Sequence, residues 1–130
     1  MPTSSLTPML TVRDAAAAIT FYEQAFGAVE RQRFAAPNGQ LVAEMSVDSE
    51  RFYVVDENPD AFNFSPTALG GTSVRMNLVV DDADSATARA LAAGAVEIFA
   101  VMDQPYGLRQ GRVQDPYGHH WLIGAPLIER

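Results

Sequence analysis

Two hydrophobic periods alternate along the chain, and the switches between them mark out short elements. In Leu6–Val12 the β-forming residues split by alternation, Leu10 and Val12 to one face and Thr7, Met9 and Thr11 to the other. After Arg13-Asp14 the period becomes helical, with Ala15, Ala18, Ile19, Tyr22 and Phe26 on one stripe. Asp14 can accept hydrogen bonds from the orphan amides of the first turn, and Gly27 can take the left-handed conformation that closes the last one. Strand patterns follow near Val29–Phe34, Leu41–Val47 and Arg51–Val55, separated by the turn residues Pro37-Asn38-Gly39 and Asp48–Glu50. The series then recurs. Ser73–Val80 predicts a strand, and a helix runs from Asp82 or Asp84 to Ala93 with Gly94 after it. Strands near Val96–Met102, Gly111–Gln114 and His120–Gly124 complete the second series, the last one preceded by the turn Asp115-Pro116-Tyr117-Gly118.

The recurrence is visible in the residues themselves. Val12 and Val80 lie 68 positions apart, FGAVE at 26–30 answers AGAVE at 93–97 at an offset of 67, and FYVV at 52–55 aligns with HWLI at 120–123 at 68. Two copies of one strand–helix–three-strand unit account for this pattern. The expected fold is α+β: one domain, 1–130, built of two βαβββ units at about 5–56 and 72–125. The intervening 57–71 holds Pro59, Pro66 and Gly70-Gly71, which is linker chemistry. Phe62 and Phe64 make it apolar enough to act as a lid.

Composition narrows the chemistry. The 130 residues include no Cys, all nine basic residues are Arg, and the two His are neighbours, His119 and His120. Thiolate nucleophiles, thiolate zinc sites and disulfides are excluded, as are lysine Schiff bases. A formal net charge of −7 leaves no basic footprint for nucleic acid or an anionic membrane, and no apolar run approaches the roughly 20 residues of a membrane span. The start, MPTSSLTP, lacks a basic region followed by an apolar one, so a cytoplasmic location is expected. The apolar share of 48% against 19% charged residues predicts an ordered domain. The partner these numbers suggest is a neutral or cationic small molecule, or another protein.

Four phrases in order, LTVRDAAAAITFYEQAFGA at 10–28, GGTSVRMNLVVDDAD at 70–84, RALAAGA at 89–95 and DPYGHHWLI at 115–123, resemble the vicinal oxygen chelate superfamily. That superfamily includes glyoxalase I, extradiol dioxygenases, fosfomycin-resistance enzymes and bleomycin-resistance proteins. GHHW and the Gly-Gly linker are most similar to its PhnB-like, glyoxalase-like subgroup. The resemblance implies curved mixed sheets around a cavity, helices outside, and a homodimer that closes its barrels within or between chains. It also implies positions for the metal ligands, His and Glu or Gln in metal-dependent members; here they fall on Thr7, Val54, Arg75 and Leu122. Val, Leu and Arg offer no electron pair to a divalent cation at neutral pH, and Thr alone is a poor ligand. No metal and no other cofactor is therefore expected, and the Lewis-acid reactions of the superfamily lose their basis.

Alternation and the resemblance together supply the candidate ligand-binding residues: Thr7, Met9, Thr11, Val54, Arg75, Asn77, Tyr106, Arg112, His120 and Leu122. Arg75, a permanent charge between Val74 and Met76, can fork onto a carboxylate or phosphate, or pair with Glu44 across the barrel. His119 and His120 point opposite ways on a strand, which bars a two-His site within one chain; His119 is suited to bracing the turn. His120 and Glu44 are the weak catalytic candidates, as acid or base, with Glu44 equally suited to an ion pair with Arg112. Trp121 and Tyr53 are expected in the core. Asp103–Arg112 reads as a loop whose Tyr106 could stack on a planar ligand and whose Arg109 or Arg112 could hold an anion. Phe34, Met45, Phe62, Phe64 and Met102 offer a greasy wall, most of it core.

The expected function is metal-free binding or sequestration of an aromatic or antibiotic-like molecule, as in bleomycin resistance, and hence a part in antibiotic resistance. The alternative is a glyoxalase-like or dioxygenase-like lyase or isomerase using a divalent metal through non-standard ligands such as His120 with Glu44. With Thr7, Val54, Arg75 and Leu122 at the usual ligand positions, the balance leans against an enzyme.

Overall fold

The structure is a computed structural model and describes residues 3–127. Local signals set its elements. The Asp14 carboxylate accepts from the Ala17 amide and starts helix α1 at Ala15–Phe26, and Gly27, at φ 67°, ends it. Asp82 does the same for helix α3, Ala83–Ala93, through the Ser85 amide. Strands β1 (Met9–Val12), β2 (Val29–Ala35), β3 (Leu41–Val47) and β4 (Glu50–Asp56) form a sheet in the order β1-β4-β3-β2. Strands β5 (Arg75–Val79), β6 (Val96–Asp103), β7 (Leu108–Gln114) and β8 (His120–Pro126) repeat it as β5-β8-β7-β6. In each sheet only the first pairing, β1 with β4 or β5 with β8, is parallel. The two βαβββ units are thus present.

The two sheets share one core through the sides that carry the helices. Small residues on α1 and α3, Ala15, Ala18, Ala25 and Ala90, are buried and let the helices approach each other. Beneath them Phe52 of β4 and Trp121 of β8 stand 5.8 Å apart, edge to face, and Tyr22 and Phe26 of α1 both touch the Trp121 ring. Asp115 ties the halves together. One of its carboxylate oxygens accepts from the Tyr22 hydroxyl of α1 and from the Trp121 indole. The other accepts from the backbone amides of Tyr117 and His119, which fixes the turn before β8.

Several expectations need correction. Strand β1 begins at Met9, not Leu6; Pro8 has no amide to give, and only its carbonyl joins the sheet, accepting from the Tyr53 amide. The segment between the units contains a 3-10 turn at Pro59–Ala61 and a short helix α2 at Pro66–Leu69, capped by Ser65. The loop expected at 103–112 is only a turn, because β7 already starts at Leu108. Val54 is fully buried on the helix side, and Tyr53 is the residue on the open face. The cause is a single residue. Glu44 and Arg112 correspond at an offset of 68, but the β7–β8 turn is one residue longer than the β3–β4 turn, so Tyr53 corresponds to Leu122 at 69. A one-residue slip exchanges the two faces of a strand. Phe52, not Tyr53, is the counterpart of Trp121. The expected greasy wall divides as well: Met45 is core, whereas Phe34, Phe62, Phe64 and Met102 are exposed. The two sheets are not closed on each other; each turns its second face outward.

Candidate functional site

The outward face of the second sheet is built by alternation on three strands. Gln110, Arg112 and Gln114 of β7 lie beside Gly124, Leu122 and His120 of β8, and these beside Val79, Asn77 and Arg75 of β5. The fourth strand bends over them. β6 shifts register twice against β7, around Phe99, and Gly111 makes that irregularity possible. A Cβ on Gly111 would stand 2.7 Å from the Phe99 carbonyl oxygen and 2.8 Å from the Val101 nitrogen, both backbone. The result is a concavity of about 370 Å³ walled by Phe99, Met102, Tyr106 and Leu122, with Arg75, Arg112, Gln104 and Gln110 as its polar groups.

The polar groups are only partly engaged. The Tyr106 hydroxyl donates to Gln110 Oε1 at 2.6 Å, which turns the phenol ring along the wall. The Arg112 guanidinium lies 5.6 Å from the centre of the Phe99 ring, a cation–π contact, and its Nε is buried without a hydrogen-bond partner. Of the nine arginines Arg130 lies outside the described residues, and six of the others are committed. Arg33 pairs with Glu30, Arg51 with Glu44, and Arg109 with Asp84 and Asp103. Arg13, Arg31 and Arg89 donate to Pro116 O, Ser46 Oγ and the carbonyls ending α1. Among the described residues Arg75 and Arg112 alone make no side-chain hydrogen bond or ion pair, and no carboxylate lines their concavity.

The other candidates disperse. His120 is on the same face but lines the neighbouring hollow with Arg13, Pro66 and Gly118. Burial first, then the nearby Arg112 charge, lowers its pKa from the ordinary imidazole value, and its Nδ1 is buried without a partner. His119 faces the other way, is buried, and donates from Nε2 to the Thr11 carbonyl at 2.8 Å, so it braces the turn against β1. Thr7 and Asn77 line a cleft of about 610 Å³ between the units, and Met9 and Thr11 a hollow under α2. Glu44 belongs to the first sheet's open face, where it accepts from Gln32 and Arg51; the expected pairing with Arg75 or Arg112 is not made. Arg109 is held by Asp84 and Asp103 and is not available to an anion. Phe99 and Gln110 were missed as site residues, because the register shift that brings Phe99 opposite Arg112 leaves no mark in the hydrophobic pattern.

The metal of the superfamily does not fit these residues. With the corrected register the four positions are Thr7, Tyr53, Arg75 and Leu122, which offer neither imidazole nor carboxylate, and the guanidinium repels a cation. Among the described residues no three His, Asp or Glu side chains converge as a metal would need, and the alternative pair, His120 and Glu44, stands on different sheets.

The model of the glyoxalase-like domain family matches residues 8–123. An uncharacterised protein of Mycobacterium bovis is 43% identical over 129 residues, 96% of this chain and 85% of its own. The X-ray structure of an Arabidopsis thaliana gene product is similar at 29% identity with a TM-score of 0.70, covering 95% of this chain and 98% of that one. The fosfomycin resistance protein FosX of Listeria monocytogenes shares the fold at 14% identity, with a TM-score of 0.75 over 97% of this chain and 95% of that one.

Proposed function

We propose, from the premise that this chain belongs to the glyoxalase-like family of the vicinal oxygen chelate superfamily, that it binds a planar, aromatic or antibiotic-like small molecule. The open face of the second sheet is the binding surface, and no metal takes part. One observation carries the reading: a concavity of about 370 Å³ that joins apolar and aromatic walls to polar groups without partners. Small-molecule sites are of this kind, roughly 300–1,000 Å³, mostly apolar, with a few polar groups that fix orientation. The protein acts in the cytoplasm as a homodimer in which a second copy covers the open sheets.

The chemistry this face can perform is recognition. Phe99 and Tyr106 present ring surfaces, Met102 adapts to the outline of a ligand, and Arg75, Arg112 and Gln110 supply N–H donors. Calorimetric titration against a panel of planar aromatic compounds and glycopeptide and quinone antibiotics is expected to give saturable heat for at least one. Phe99→Ala and Met102→Ala, at exposed positions that the core does not need, are expected to weaken that binding about tenfold. Absence of heat across the panel would overturn the reading, as would stoichiometric Zn, Mn or Fe in the purified protein, which would restore a metal-dependent enzyme.

A further inference from the structure

The net charge of −7 describes the whole chain, but the charged side chains that line the candidate site are both basic. Arg75 and Arg112 line it, and no Asp or Glu does. Asp103, which follows Met102 in the chain, is already paired with Arg109. A guanidinium cannot relieve its charge by losing a proton at physiological pH. Arg75 is exposed and solvated, but Arg112 is half-buried and its Nε is buried without a hydrogen-bond partner, and such an unmet donor is costly unless a ligand completes it. Each guanidinium presents a fork of N–H donors suited to oxyanions. Gln110 adds a third donor, because its Oε1 is taken by Tyr106 and its Nε2 is left over. Around these donors the walls are Phe99, Met102, Tyr106 and Leu122, a setting for a flat ring system.

We propose that the ligand of the second sheet's open face is an aromatic acid, its oxyanion held by Arg75 and Arg112 and its ring seated on Phe99, Tyr106 and Met102. The proposal rests on the binding function above and narrows it from planar molecules in general to anionic ones. It also reverses the neutral or cationic ligand that composition alone suggests.

The test uses the full chain and three probes, 2-naphthoate, 2-naphthyl phosphate and the uncharged 2-naphthamide, titrated by calorimetry. At least one acid is expected to bind tenfold or more tightly than the amide, consistent with hydrogen bonds to charged groups, and the tighter acid identifies the oxyanion. Arg75→Met and Arg112→Met, which keep an apolar stem, are each expected to remove about tenfold in affinity for that acid and to weaken the amide distinctly less. Arg109→Met changes the net charge equally but lies in an ion pair with Asp84, and is expected to have no effect. Equal binding of acids and amide would end this proposal while leaving the binding function intact. Equal losses from Arg109→Met and Arg112→Met would also end it, by showing only a general response to charge. No binding of any of the three probes would count against both.

Discussion

Asp115 shows how much one side chain can hold. It is buried, with 2% of its surface exposed, and its two oxygens accept from the Tyr22 hydroxyl, the Trp121 indole and two backbone amides. A buried carboxylate is tolerated because every contact is a donor. The same contact, with burial as the larger cause, pushes the Tyr22 phenol well above its ordinary pKa. Removing the hydroxyl in Tyr22→Phe is expected to cost about 1–3 kcal/mol in urea-denaturation stability, and Asp115→Ala, which orphans four donors, distinctly more. A smaller loss from Asp115→Ala than from Tyr22→Phe would contradict the arrangement. None of this was legible in the sequence, where DPYG announces a turn and Tyr22 a core position; the partners are 93 residues apart. His120 carries a second prediction. Its pKa is lowered in the folded protein, by burial and then by Arg112, from an ordinary value near 6.5. Between the two values the unfolded chain binds more protons, so the His120 contribution to stability is complete above about pH 6.5 and is lost as pH drops through that value towards the folded one. Urea midpoints at pH 7.5 and 5.5 are expected to differ less in His120→Gln than in the parent protein.

At the scale of elements, the helices were legible, and so were the strands except for the face of β4 and the start of β7. The ends of α1 and α3 are set by local signals, Asp14 with Gly27 and Asp82 with Gly94, which lie in the sequence beside the helix they bound. Strand faces depend on register, and register depends on turn length. The additional residue in the β7–β8 turn turned the repeat alignment of Val54 into an error of face. The start of β7 was hidden for a different reason. Gly111 reads as loop chemistry, whereas the structure uses it as a strand residue against which the β6 backbone packs. Gly111→Ala is expected to destabilise by about 1–3 kcal/mol, the range for overpacking a tight contact, and to weaken ligand binding with it, since Phe99 sits at the irregularity. Gly71→Ala, with open space around the added methyl, is the control and is expected to leave both unchanged.

The whole molecule leaves apolar side chains on both open faces. Phe99 is 63% exposed, Met102 59% and Met9 58%, with Phe34 and Val79 also above half. Exposed apolar side chains and the open edges of the outer strands β2 and β6 support the proposed homodimer. Sedimentation equilibrium is expected to give about twice the 14.1 kDa chain mass, and Phe34→Asp combined with Phe99→Asp to shift it towards that of one chain. A single-chain mass for the parent protein at tens of micromolar would refute the dimer. The two-unit architecture was readable in the chain because each unit repeats its own local signals. The openness of the sheets was not, because alternation tells which residues share a face and is silent on whether another face covers it.

The bond between Tyr22 and Asp115 also bears on the ancestry of the duplication. The place of Asp115 in the first unit belongs to Val47, and that of Tyr22 in the second to Ala90, as far from its Asp82 cap as Tyr22 is from Asp14. Twin copies of the first half would offer the tyrosine no acceptor; twin copies of the second would leave the carboxylate without its phenol. The halves are complementary rather than equivalent, and a tandem of either half alone would lack this bond.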